Sequence, residues 1–94
     1  MTADQQFGQA LQQLHVQKQR LQREKIELES AVEELTDASE SYKIIGNVMI
    51  KKTPQDIKKG LEEQLEKLVT RIGVLEKQEK QLRENIQQRA QASE

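Results

Sequence analysis

The sequence predicts a mainly α chain: a long antiparallel two-helix coiled coil with a β-hairpin at its centre. Leucines recur at seven-residue steps on both sides of a short segment that lacks this period. That segment contains two β-prone runs separated by Gly46-Asn47. Composition supplies the third observation, since 34% of the 94 residues are hydrophobic, 33% are charged, and Phe7 and Tyr42 are the two aromatic rings. With Leu, Ile, Val and Phe at only 23 of the 94 positions, little is available to fill the centre of a sphere. A thin apolar seam is enough for a thin object. Fifteen glutamines and many long charged side chains, against one proline and four glycines, favour helix over disorder.

The first element is a helix within residues 1–41. Phe7, Leu14, Leu21, Leu28, Leu35 and Tyr42 form one heptad column, d, and Leu11, Lys18, Lys25, Val32 and Ser39 form its companion, a. An unbroken d column is the signature of a coiled coil rather than of the wider stripe on a globular helix.

Residues 42–52 follow, with the sequence Tyr42-Lys43-Ile44-Ile45-Gly46-Asn47-Val48-Met49-Ile50-Lys51-Lys52. Gly-Asn between two β-prone runs reads as a tight hairpin, with Gly46 supplying positive φ at the first central position of a type II′ turn.

The second helix occupies residues 53–94. Thr53 can cap it, Pro54 suits its first turn, and Asp56 places negative charge at the positive end of the helix dipole. Leu61, Leu68, Leu75 and Leu82 occupy d, and Leu65, Ile72, Glu79 and Ile86 occupy a. Glu63 to Lys67, Glu76 to Lys80 and Glu79 to Arg83 are i, i+4 pairs with the acid first, the stabilising order. Gly60 and Gly73 each cost about 1 kcal/mol against alanine, so packing must hold this helix.

A turn centred between Gly46 and Asn47 predicts that facing residues have numbers summing to about 93. Phe7 then meets Ile86, Leu11 meets Leu82, Leu21 meets Ile72, Leu28 meets Leu65 and Val32 meets Leu61, each an a position against a d. The heptads and the turn are independent signals, and they agree. The same register brings Lys18 and Glu79 into adjacent layers, where they can pair and fix the register at some cost in stability.

Two surfaces are left over. Strand alternation sends Ile45, Val48 and Ile50 to one face of the hairpin and Tyr42, Ile44 and Met49 to the other, so both faces are largely apolar. A two-stranded hairpin is marginal alone and has two unpaired edges, which points to oligomerisation through the sheet. Lys43, Lys51 and Lys52 guard those edges against wrong pairing. At the other end of the coiled coil, residues 1–17 carry one formal charge, Asp4, and residues 85–94 carry Arg89 and Glu94. Helix ends open at low free energy, so the apolar residues there can be offered to a partner.

Several functions are excluded or disfavoured. The net charge is -1, and three lysines at the turn are too few for a nucleic-acid or anionic-membrane surface. There is no cysteine for a disulfide or thiolate metal site. His15 stands alone beside the seam, the carboxylates lie on helix surfaces, and Gly8, Gly46, Gly60 and Gly73 form no phosphate cradle, so no catalytic, cofactor or metal site is expected. The start MTADQQFGQALQQL lacks the pattern of a secretory signal, and no apolar run is long enough to span a membrane, which makes the cytoplasm the expected location.

The hairpin segment Tyr-Lys-x-x-Gly-Asn-x-x-Ile-Lys-Lys, followed by a helix containing Leu75-Glu76-Lys77-Gln78-Glu79-Lys80-Gln81-Leu82, resembles the β-class subunit of prefoldin, the hexameric cochaperone also called GimC. The resemblance covers essentially the whole chain in element order and spacing. It implies a hetero-hexamer of two α-type and four β-type subunits whose hairpins join in a β-barrel body, with Tyr42, Ile44, Ile45, Gly46, Asn47, Val48, Met49 and Ile50 at the joint. It also implies an ATP-independent holdase, needing no cofactor, that captures unfolded polypeptides at the coiled-coil tips and passes them to a group II chaperonin. Phe7, Ala10, Leu11, Leu14, Ile86 and Ala90 are the implied client contacts. The termini are short for the class, with little beyond the heptads. The alternative reading is a structural coiled-coil adaptor without affinity for unfolded chains.

Overall fold

The computed structural model describes residues 2–92 and runs α1 (Ala3–Thr36), β1 (Ser41–Ile45), β2 (Val48–Lys52), α2 (Pro54–Ala92). Two long helices and one antiparallel two-stranded hairpin make up the chain. Thr2 and Gln5 open α1 as a reciprocal capping box: the Thr2 hydroxyl accepts from the Gln5 amide at 3.2 Å, and the Gln5 side chain accepts from the Thr2 amide at 3.0 Å. Thr53 caps α2 as expected, its hydroxyl accepting from the Asp56 amide at 3.2 Å.

The end of α1 differs from the expectation. The seven-residue column continues through Leu35 to Tyr42, yet the helix stops at Thr36 and Tyr42 belongs to β1. Three local features end it. The Thr36 hydroxyl donates back to the Val32 carbonyl at 3.0 Å, a bond that weakens helix continuation. Glu33, Glu34 and Asp37 crowd negative charge onto the negative end of the dipole, with no basic residue in the last turn. Asp37 and Ser39 are then poor helix formers. Ser39 is therefore no seam position, and the Leu35-to-Tyr42 step is coincidental.

The chain forms two compact units, one within Met1–Gln22 and Thr70–Glu94, the other Arg23–Val69. In the first, Leu21, Ile72, Leu75 and Glu79 are buried, and Phe7, Leu11, Leu14, Lys18, Leu82 and Ile86 are half-buried. These are the a and d positions of both heptads. The helical segments here run antiparallel, because Lys18 reaches Glu79 while Phe7, eleven residues earlier, lies beneath Arg89.

In the second unit Leu68 and Ser41 are buried, and the a and d residues Leu28, Val32, Leu35, Leu61 and Leu65 are half-buried. The hairpin pairs Ser41 with Lys52, Tyr42 with Lys51, Lys43 with Ile50, Ile44 with Met49 and Ile45 with Val48, the register that sums to 93. Gly46 has φ +60° and is the one described residue with positive φ, so Asn47 stays negative and the turn is of the II′ kind rather than I′. Among the described residues no large side chain is wholly removed from solvent, as two-stranded packing dictates.

Candidate interaction surfaces

The hairpin is built from residues that cannot cover one another. Tyr42, Ile44, Ile45, Val48, Met49 and Ile50 remain between 38% and 68% exposed. Cross-strand pairing puts Ile45, Val48 and Ile50 on one face and Tyr42, Ile44 and Met49 on the other. The Tyr42 face leans towards the start of α2. Tyr42 and Met49 line a groove with Leu35, Ile57 and Leu61, and Tyr42 and Ile44 line another with Asp56, Ile57 and Gly60. Even so, that face stays open to solvent.

Its base is tied down by polar contacts. The Ser41 hydroxyl donates to the Lys52 carbonyl across the open end of the ladder. Glu40 accepts from the Tyr42 hydroxyl at 3.5 Å and pairs with Lys51 at 3.8 Å. The Glu40 contacts are exposed and contribute little energy, but they leave the edge-facing lysine in place. The composition signal for Ser41 was weak, since a serine before a β-run is usually solvated.

The terminal segments form the second surface, inside the first unit. Phe7, Ala10, Leu11, Leu14 and Ile86 are half-buried in the seam, and Ala90 is exposed. The Arg89 guanidinium sits 5.1 Å from the centroid of the Phe7 ring, a cation–π contact. Phe7 was expected against Ile86. Arg89 lies one turn beyond Ile86, and that spacing was the available signal. Its stacking occupies one of the few charges of the segment.

Deeper in the same unit lies a polar cluster. Glu79 is 2% exposed, and its Oε2 accepts from Lys18 Nζ at 3.2 Å and from Arg83 Nη2 at 3.5 Å. Glu79 Oε1 has no partner. The seam pair expected from the heptads is thus formed, with Arg83 at i, i+4 as its outer member.

His15 is exposed, and among the described residues no group of three or more His, Cys, Asp or Glu could hold a metal ion. No described helix is long and apolar enough to cross a membrane.

Residues 4–92 match the family described as prefoldin subunit. The chain is 35% identical over 85 residues to prefoldin subunit beta of Thermococcus kodakarensis, covering 87% of this chain and 73% of that one. It is 34% identical over 88 residues to prefoldin subunit beta of Pyrococcus furiosus, covering 90% and 75%. Prefoldin subunit beta of Archaeoglobus fulgidus gives 35% over 85 residues, covering 87% and 73%. The crystal structure of the prefoldin beta subunit from Thermococcus strain KS-1 superposes with a TM-score of 0.87 at 32% identity, over 90% of this chain and 77% of that one.

Proposed function

Because the chain belongs to the prefoldin family, among its beta subunits and hence in a chaperone-type role, we propose that it is a non-enzymatic holdase subunit of a cytoplasmic hetero-hexamer of two α-type and four β-type subunits. It holds unfolded polypeptides at the tips of its helix pair and hands them to a group II chaperonin without nucleotide. The whole chain acts as one domain of this kind.

The observation that carries the reading is the hairpin. Six apolar side chains stay exposed across its two faces, and the hairpins of other subunits would cover them. Burying an Ile, Val or Met side chain stabilises an assembly by about 1.5–3 kcal/mol each. Hairpins joined edge to edge would satisfy the free N–H and C=O groups as well. Such an assembly multiplies tips. Each tip offers only a few side chains around Phe7, Ala10, Leu11, Leu14, Ile86 and Ala90, so one tip binds weakly, but several sharing one client gain through effective concentration. Release then needs no ATP, because each contact breaks on its own.

The test uses the chain together with an α-type subunit. Ile44→Ser with Met49→Ser is expected to lower the assembled mass. Leu11→Ser with Ile86→Ser is expected to leave that mass unchanged while weakening the delay of aggregation of a denatured protein without nucleotide. Undiminished holding by an intact Leu11→Ser/Ile86→Ser assembly would remove the tips from the account and favour the adaptor reading.

A further inference from the structure

Thirteen of the fifteen glutamines fall within Met1–Gln22 and Thr70–Glu94, eight of them between residues 5 and 22 of α1. The other unit uses charge instead. Residues 24–40, the end of α1 and the link to the hairpin, carry seven acids and one lysine. Both compositions make soluble helices, so solubility does not explain the switch from charge to amide.

On the outer side of α1, Gln5, Gln9, Gln12 and Gln13 line an open groove of about 670 Å³ with Gly8 as its floor. These glutamines are exposed. A Cβ on Gly8 would meet nothing within 4 Å, so no internal contact requires a glycine that weakens the helix. Val16, off the seam and 54% exposed, extends the same row by one turn. The groove has a neutral lining that both donates and accepts hydrogen bonds, a bare floor and an apolar end.

We propose that this groove docks an extended segment of an unfolded polypeptide through its backbone, with glutamine amides bonding the client's N–H and C=O groups. The inference rests on the holdase reading above and names its client class: chains selected for being extended, irrespective of their net charge. The spacing suits such an occupant. Gln5, Gln9 and Gln13 are four residues apart, a rise of about 6 Å each, while an extended chain repeats about every 6.6–6.8 Å per dipeptide. Successive amides can therefore address successive carbonyls on one edge of the client. A primary amide offers both donors and an acceptor, so it serves either backbone group. Gln5 uses its oxygen in the helix cap, which leaves its N–H₂ for the client. None of the residues that line the groove carries a formal charge, so the lining itself neither attracts nor repels charged clients.

The experiment measures binding of two fluorescent, permanently unfolded peptides to the assembled complex. The peptides match in apolar content and have opposite net charge. Wild type is expected to bind both within about threefold, with little change between low and high salt. Gln9→Ala/Gln12→Ala/Gln13→Ala keeps or raises helix propensity and is expected to weaken both peptides by about fivefold or more. Gln9→Glu/Gln12→Glu/Gln13→Glu is expected to discriminate, holding the basic peptide and losing the acidic one at low salt. Circular dichroism confirms that both variants remain helical. Unchanged binding by the alanine variant, or a strong charge preference in wild type, overturns the proposal. Leu11→Ser/Ile86→Ser separates the two readings. If it abolishes binding while the alanine variant binds normally, the holdase reading stands and only the glutamine groove fails.

Discussion

Replacing Lys18 by Met isolates the buried carboxylate of Glu79. In the native seam the Glu79 side chain is 3% exposed and Lys18 19%, and the pair closes at 3.2 Å. Removing one member of a buried ion pair costs roughly 3–5 kcal/mol, because the other charge stays desolvated. Here Arg83 remains at 3.5 Å on the exposed side and offsets part of the loss. The expected cost therefore falls at or just below the bottom of that range, about 2–3 kcal/mol. The reciprocal change differs. Glu79→Leu leaves a lysine at the rim, whose stem can pack while its ammonium swings into water. It also removes the unpartnered Oε1, itself a penalty of about 1–3 kcal/mol. Glu79→Leu is expected to be near neutral, and Lys18→Met/Glu79→Leu to be at least as stable as wild type. The assay is urea unfolding followed by far-UV circular dichroism at one fixed protomer concentration, since assembly is linked to stability. For a chain of this length the Lys18→Met loss corresponds to a fall in Tm on the order of 10 °C or more. Equal losses for the two single variants, or a double variant as unstable as their sum, would refute the asymmetric burial on which this rests.

Three further outcomes follow from the backbone and its bonds. Gly46→Ala forces a side chain into the left-handed region at φ +60°, where nothing obstructs it, so strain alone lowers hairpin stability by about 1–2 kcal/mol; the midpoint of complex assembly should weaken accordingly. Gly73→Ala adds a Cβ that meets nothing within 4 Å in the interior of α2 and should raise stability by about 1 kcal/mol, visible as a higher urea midpoint at unchanged slope. Ser41→Ala deletes the bond to the Lys52 carbonyl, which lies on an exposed residue and can rehydrate, so a loss of only about 0.5–1 kcal/mol is expected, read as faster amide exchange at the open end of the hairpin.

Seam, turn and the Thr53 cap were legible because each is a local rule with a fixed period or position. Leucines at seven-residue steps became the buried and half-buried residues of both units, and Gly46 took the one described positive φ. The Lys18–Glu79 pair was legible because two off-pattern residues landed in adjacent layers. The end of α1 was not, because a heptad column has no stop signal of its own and Tyr42 happened to fall seven residues after Leu35. Acids massed at the C-terminal end were the better guide there. Exposed apolar residues away from the seam, such as Ile26 and Val69, also escaped the heptads, since a period identifies what faces inward and is silent about the rest. The glutamine groove was hidden for a related reason. Fifteen glutamines favour helix by composition alone, and the placement of four of them along one groove matters only once α1 is a helix with a lined outer face.

An apolar pair at positions 18 and 79 would serve stability at least as well, so Lys18 and Glu79 need a competing structure that they exclude. The heptads identify it. Two copies of α1 in parallel register would set Lys18 against Lys18 and Lys25 against Lys25, and two copies of α2 would set Glu79 against Glu79. Only α1 with α2 brings opposite charges together, so like-charge repulsion forbids self-pairing wherever several helix pairs are held close. This predicts a separation of stability from fidelity. The Lys18→Met/Glu79→Leu chain should be as stable as wild type or more so, yet exchange helices between copies. The protein has no cysteine, so Leu14→Cys introduces a single reporter at a d position. Under mild oxidation, disulfide-linked dimers should accumulate in the Lys18→Met/Glu79→Leu background and remain scarce with Lys18 and Glu79 in place. Equal dimer yields in the two backgrounds would leave the buried pair with a role in register alone.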